Sequence, residues 1–247
     1  MKNATFFKTS TLVAACAALM ACGGGGDSAP VAPAVVLTNI AAQGLWQNAA
    51  GSATDNFTVV TDSGDAWSVL NTAGTQRLVK AMLATSGTGF AGTGKSFLLG
   101  TSTVDAVTLN ASAVAKTSLN GSISSTAPAE SFSLAYQTRY DTAAKLADFV
   151  GSWTGALKTA SANWSINATG VLTGVSTTGC TYTGQLGLRP EARAVANIAV
   201  TQTCAAETKE APVTQFSGVA FKTTDNKAVT VLLTTADSTQ ALALKLQ

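Results

Sequence analysis

The chain of 247 residues contains no histidine. That removes Ser-His-Asp and Cys-His catalysis and every imidazole metal site. Charge is scarce as well. Asp, Glu, Lys and Arg make up 11% of the residues, against about 25% in a typical soluble domain. A body this sparsely charged, with no basic excess, is not built for nucleic acid. After residue 21 no uninterrupted apolar run approaches the length of a membrane-crossing helix. Carboxylates are not grouped for calcium: Asp62 and Asp65 flank a turn glycine, and Glu207 and Glu210 share a polar stretch. Both pairs read as solvated turn residues. No metal, no cofactor and no catalytic residue is expected.

What the chain does have begins at its amino terminus. Lys2 and Lys8 precede an apolar run from Thr11 to Ala21, and small residues follow at once. This is the layout of a secretory leader, too short to span a bilayer. Leu19-Met20-Ala21-Cys22 resembles the bacterial lipobox. The resemblance implies that the leader (1–21) is removed, that Cys22 is acylated on sulfur, and that the new amino terminus is acylated too. Two or three chains anchor stably where one does not. By the sorting rule of such lipoproteins, Gly23 in place of Asp implies the outer membrane, facing either the periplasm or the cell surface. Residues 22–43, with Gly23 to Gly26 and then Pro30 and Pro33, read as a flexible tether that stiffens at the prolines. The leader holds two of the fifteen basic residues and no acid, so the mature chain carries thirteen of each sign.

Thr, Ser, Ala, Gly and Val dominate the rest, with turn residues every eight to twelve positions. This is an all-β pattern. The pattern is stated twice. Gly44-Leu45-Trp46 recurs as Gly151-Ser152-Trp153. Hairpins follow, from Phe57 to Leu70 around Asp62-Ser63-Gly64-Asp65, and from Trp164 to Val175 around Asn167-Ala168-Thr169-Gly170. Each unit closes on a clean alternating strand, Ser131 to Tyr136 and Ala241 to Leu246. The expected organisation is two antiparallel up-and-down β-barrel-like domains in tandem, 44–140 and 151–247, joined by 141–150. That joint reads as a short helix capped by Asp141. Trp46, Trp67, Trp153 and Trp164 fall in matched pairs and read as packing residues.

A Gly-X-Trp near the first strand, answered by a basic residue on the last, resembles the lipocalin-like (calycin) barrels. Here Arg139 follows Trp46 by 93 residues and Lys245 follows Trp153 by 92. The resemblance implies that each cation lies over its indole and closes a barrel end, a contact worth about 0.5–2 kcal/mol. The whole chain is also similar to a group of uncharacterised proteobacterial outer-membrane lipoproteins with two barrel-like halves. The likeness runs through the Cys-glycine tether, Ser118-Leu119-Asn120-Gly121-Ser122 and Gly179-Cys180-Thr181-Tyr182-Thr183-Gly184. It implies no activity.

Two cysteines remain in the mature body, Cys180 and Cys204. An oxidising compartment makes a disulfide the default. They stand twelve residues either side of Ala192, on apolar faces of a hairpin turning at Arg189-Pro190-Glu191-Ala192-Arg193. Closing that loop stabilises by roughly 3 kcal/mol in the chain-entropy account. One stretch imitates chemistry: Gly89-Phe90-Ala91-Gly92-Thr93-Gly94-Lys95-Ser96 matches the P-loop pattern in full. A P-loop needs a helix right after it, and Gly100-Thr101-Ser102-Thr103-Val104 is poor helix material. The match reads as chance, with Lys95 solvated at a loop or strand edge. The leading functional reading is a non-catalytic binding or structural module at the envelope, joined to the membrane through Cys22 and contacting another envelope protein. The alternative is a carrier holding a small apolar ligand inside a barrel. Nucleotide hydrolysis at Lys95 is the weakest.

Overall fold

The computed structural model describes residues 41–48, 55–72, 74–125, 129–157, 160–204, 213–223 and 225–247. The leader, Cys22, Gly23, Pro30, Pro33, Glu207 and Glu210 lie outside the described residues. Two closed eight-stranded barrels follow one another along the chain. Barrel 1 contains β1 (Gly44–Gln47), β2 (Phe57–Val60), β3 (Asp65–Thr72), β4 (Thr75–Ser86), β5 (Gly89–Leu98), β6 (Val104–Val114), β7 (Ser118–Ser124) and β8 (Glu130–Tyr136). Barrel 2 contains β9 (Gly151–Leu157), β10 (Ala160–Ile166), β11 (Val171–Ser176), β12 (Cys180–Leu188), β13 (Val195–Cys204), β14 (Val213–Lys222), β15 (Val229–Thr235) and β16 (Ala241–Leu246). Within each barrel every strand pairs antiparallel with its sequence neighbours, and the last strand with the first. Trp46 opposite Tyr136 closes the first ring and Leu246 opposite Gly155 the second. The all-β tandem architecture is the one the alternating strands announced.

The internal repeat extends to individual hydrogen bonds. The Trp46 indole donates to the Ala42 carbonyl and the Trp153 indole to the Phe149 carbonyl, both at 2.8 Å and both four residues back. In each hairpin the turn glycine lies at positive φ, 87° at Gly64 and 81° at Gly170. Each of these glycines offers its carbonyl to a leucine two strands on, Leu83 or Leu186, at 2.9 and 2.8 Å. The glycine of Gly-X-Trp is needed twice for different reasons. A Cβ on Gly44 would come within 2.9 Å of the Trp46 indole, whereas Gly151 lies at φ +144°. Ala42, at the end of the stretch read as tether, is wholly buried in barrel 1. The carbonyl that fastens Trp46 thus belongs to the fold and not to the tether.

Buried apolar side chains meet in the centre of each ring. Trp46, Leu83, Leu109, Leu119 and Leu134 meet inside barrel 1; Trp164, Ile166, Leu172, Leu186 and Val231 meet inside barrel 2. A third apolar cluster lies outside both rings. Leu45, Val59, Trp67, Val69, Leu78 and Phe97 on the outer face of barrel 1 pack with Val195, Val219, Phe221 and Leu232 on the outer face of barrel 2. The barrels therefore share a dry seam within one compact unit, residues 36–247. Every residue of β15 is buried, because one face looks into barrel 2 and the other onto barrel 1.

Two expectations are corrected. The joint between the barrels is two 3-10 turns, Thr138–Asp141 and Leu146–Asp148, and not a helix capped by Asp141. Asp141 instead accepts from Lys116 at 3.0 Å, from the Tyr136 hydroxyl at 3.1 Å and from Arg193 at 3.0 Å. It ties a barrel 1 hairpin and a barrel 2 hairpin to the joint. Trp67 and Trp164 are also not a matched pair: Trp67 faces outward into the seam, and Trp164 faces into barrel 2.

Candidate functional site

The seam is where charged and aromatic side chains converge. Arg139 was expected over Trp46. The 3-10 turn Thr138–Asp141 takes it away from barrel 1, and its guanidinium lies 5.8 Å from the centre of the Phe221 ring. One of its nitrogens donates to the Lys222 carbonyl. The Trp46 ring meets Tyr136 edge-on at 5.1 Å instead. Lys245 does not cover Trp153 either. Residues 242, 244 and 246 of β16 point into barrel 2, so Lys245 points out and is exposed, whereas Trp153 packs against the inner core. The two cations chosen from sequence do share a place: both line one groove of about 640 Å³ on the seam.

That groove is built from both barrels. Phe57 of β2 and Phe221 of β14 meet edge-on at 5.6 Å on its floor, with Val69, Leu232 and Ala243. Gln47, Asp55 and Asn71 form the barrel 1 wall. Gln47 donates to the Asp55 carboxylate at 3.0 Å, and the Asn71 amide donates to the Asp55 carbonyl at 2.9 Å. Thr230, Lys245, Ala156 and Asp225 form the other wall. The Asp225 carboxylate accepts from the Thr223 hydroxyl at 2.6 Å and the Lys227 amide at 3.1 Å. The Thr223 hydrogen bond, above all, holds Asp225 below the usual carboxylate range. Burial pulls Arg139 below its ordinary value, with the Asp225 charge pulling the other way.

Two further grooves open on the seam, of about 610 Å³ between β5–β6 and Thr239-Gln240-Ala241, and about 420 Å³ between β3–β4 and β12–β14. Lys80 lies 4.9 Å from the centre of the Trp67 ring at the smaller one. Beside it Arg189 reaches across from barrel 2 to the Asp62 carboxylate at 2.6 Å, and also engages Glu191 and Asn197. Asp62 is thus half of a cross-seam ion pair and more than a solvated turn residue. Burial opposes the Arg189 charge, and the Glu191 and Asp62 carboxylates more than offset it. Nearby Tyr140, 2% exposed, donates to the Val60 carbonyl at 3.4 Å and lies under Arg193.

No family model matches the chain, and no curated protein or solved structure matches it. The site is therefore argued from its own residues. The P-loop look-alike is strand β5, paired with β4 on one side and β6 on the other. Lys95 is an exposed mid-strand residue opposite Lys80, and Ser96 points inward and is buried. Backbone amides engaged in a ladder cannot cradle a phosphate. Cys180 and Cys204 are bonded and directly opposite in register, linking the start of β12 to the end of β13. At the corresponding end of barrel 1, inward Arg77 pairs with Asp105 at 3.2 Å and donates to Ser96 at 3.4 Å. Among the described residues no group of three or more Cys, Asp or Glu is placed to hold a metal. Sequence reasoning singled out Arg139 and Lys245 but missed Phe57, Phe221, Asp55 and Asp225. The available signal was the absence of alternation in Phe57 to Val60 and Val229 to Leu233.

Proposed function

We propose that this protein is a non-catalytic binding module of the bacterial envelope, anchored to the outer membrane through acylated Cys22, and that it binds on the seam between its barrels. The barrel fold accommodates both a binding module and a carrier. What favours the seam is that each barrel interior holds a contiguous cluster of buried apolar side chains, whereas a groove of about 640 Å³ opens between the barrels. Binding sites for small molecules fall at about 300–1,000 Å³ and favour the junctions of rigid bodies. The apolar floor and polar walls of the groove provide contact area and orientation together.

Native mass spectrometry of the protein, purified without its lipid from its own host, tests this. Ala156 is exposed and lines the groove, so Ala156→Trp blocks it with little effect on the core. A defined extra mass, lost on denaturation and missing from Ala156→Trp, is the expected result. An extra mass that survives Ala156→Trp places the cargo outside this groove and reopens the carrier reading. A bare mass directs the reading to a protein partner. Separately, Cys22→Ala should release the protein from the membrane fraction.

A further inference from the structure

The groove contains a guanidinium, that of Arg139, held in no ion pair among the described residues. Its Nε is buried with no hydrogen-bond partner. A guanidinium has five N–H donors and stays protonated in proteins. Leaving it partly buried and unpaired costs free energy that an anion would recover. The Asp225 charge supports the guanidinium without an ion pair, and its carboxylate accepts from the Thr223 hydroxyl and the Lys227 amide. The Asp55 carboxylate is likewise engaged by Gln47. The Lys245 side chain, exposed on the same groove, has no hydrogen bond or ion pair among the described residues. The two carboxylates match the two cations in number, but their oxygens already accept from neighbouring groups, so the unused hydrogen-bonding capacity of the groove is in its cationic donors.

The floor supplies the other half of the specificity. Phe57, Phe221, Leu232 and Ala243 present an apolar surface with an aromatic edge. A bare inorganic anion would leave that floor wet, and a neutral hydrocarbon would leave Arg139 unpaired. We propose that the groove binds an organic anion with a single acidic head, its head at Arg139 and Lys245 and its apolar body on the Phe57–Phe221 floor. This rests on the seam being the binding site and names the chemistry that the site takes.

The test uses two dyes with the same ring system, one anionic and one neutral: 8-anilino-1-naphthalenesulfonate and N-phenyl-1-naphthylamine. They are titrated by fluorescence into the protein from Gly23 onward, which keeps every described residue. The expected result is saturable binding of one sulfonate dye per chain, at least tenfold tighter than the neutral dye and displaced by dodecanoate. Lys245→Glu should weaken the sulfonate dye at least fivefold and leave the neutral dye unchanged. Arg139→Gln should do the same, but Arg139 also fastens Lys222, so exposed Lys245 decides the matter. Equal affinity for both dyes, with both lost in Ala156→Trp, overturns the anion proposal and leaves the seam site standing. Binding that Ala156→Trp does not touch lies outside this groove and overturns the reading of this groove as the site. No saturable sulfonate-dye signal overturns the anion proposal, and the host-cargo measurement then judges the seam alone.

Discussion

Val219 and Val175 isolate what the seam contributes. Both lie on outer faces of barrel 2 strands, β14 and β11. Val219 is 3% exposed and Val175 is 53% exposed, and what covers the first is barrel 1. The same substitution, Val→Thr, keeps the β-branch and nearly the shape but adds a hydroxyl. At Val219, covered by barrel 1, that hydroxyl gives up most of its water, at a cost of roughly 1–3 kcal/mol. On the exposed strand the change should stay within about 0.5 kcal/mol. For a unit of this size each kcal/mol moves Tm by about 2–4 °C. At the middle of that range Val219→Thr lowers Tm by about 4–8 °C, and Val175→Thr by no more than about 2 °C. Thermal unfolding followed by circular dichroism and by tryptophan fluorescence reads this directly. Trp46 and Trp67 report barrel 1, and Trp153 and Trp164 report barrel 2. Equal small shifts for the two variants would show that barrel 1 does not cover Val219 in solution, and the seam argument would be wrong. Two separated transitions would show that the barrels do not fold as one unit.

Two further outcomes follow from single groups. The Cys180–Cys204 bond closes a separation of 24 residues, worth about 3.5 kcal/mol in the chain-entropy account; reduction should lower the urea midpoint, and an unchanged midpoint with both thiols demonstrably free would refute that origin. Burial pushes the Tyr140 phenol up to about 12 from 10.0. Its contribution to stability is therefore complete below pH 10 and drains away as pH rises from 10 to 12, because the unfolded chain loses its proton first. Tyr140→Phe should remove that part of the alkaline decline, and a phenolate absorbance titration that finishes near pH 10 would contradict the burial.

The sequence carries the rings plainly because alternation, turn glycines and hairpin symmetry are local signals. The placing of Cys180 opposite Cys204 follows from counting outward from the hairpin turn, and the register agrees. The seam was harder to read, since period-two logic assigns one face of each strand to solvent by default. Val229 to Leu233 breaks that assumption with five buried residues in succession. Lys245 was misplaced although its parity was legible: Leu242, Leu244 and Leu246 occupy the core side, so Lys245 must face out. Arg139 was not legible, because the 3-10 turn that carries it to Phe221 leaves no periodic trace. The lipobox rests on residues outside those described, and its reading stands on the leader alone.

The two barrels differ most where they would otherwise repeat the seam. Barrel 1 offers its early strands and barrel 2 its late ones. Such a head-to-tail contact would propagate without limit if each barrel carried both faces. The equivalence of the hairpins shows how it stops. Leu45, Val59, Phe57 and Trp67, which form the barrel 1 side, correspond to Ser152, Ser165, Asn163 and Thr173, all exposed. At these four positions the outer face of β9 to β11 carries hydroxyls and an amide, with Val171 and Val175 left as exposed apolar residues, so the barrel 1 patch is not repeated as a whole among the described residues of barrel 2. The inner face changed in the opposite sense. Thr58 and Ser68, hydrogen-bonded at 2.8 Å in barrel 1, correspond to Trp164 and Gly174 in barrel 2. The indole of Trp164 lies so close over Gly174 that a Cβ there would approach to 2.4 Å. One copy thus spent its large aromatic outward on its neighbour and the other inward on its own core, which makes a pair that closes on itself.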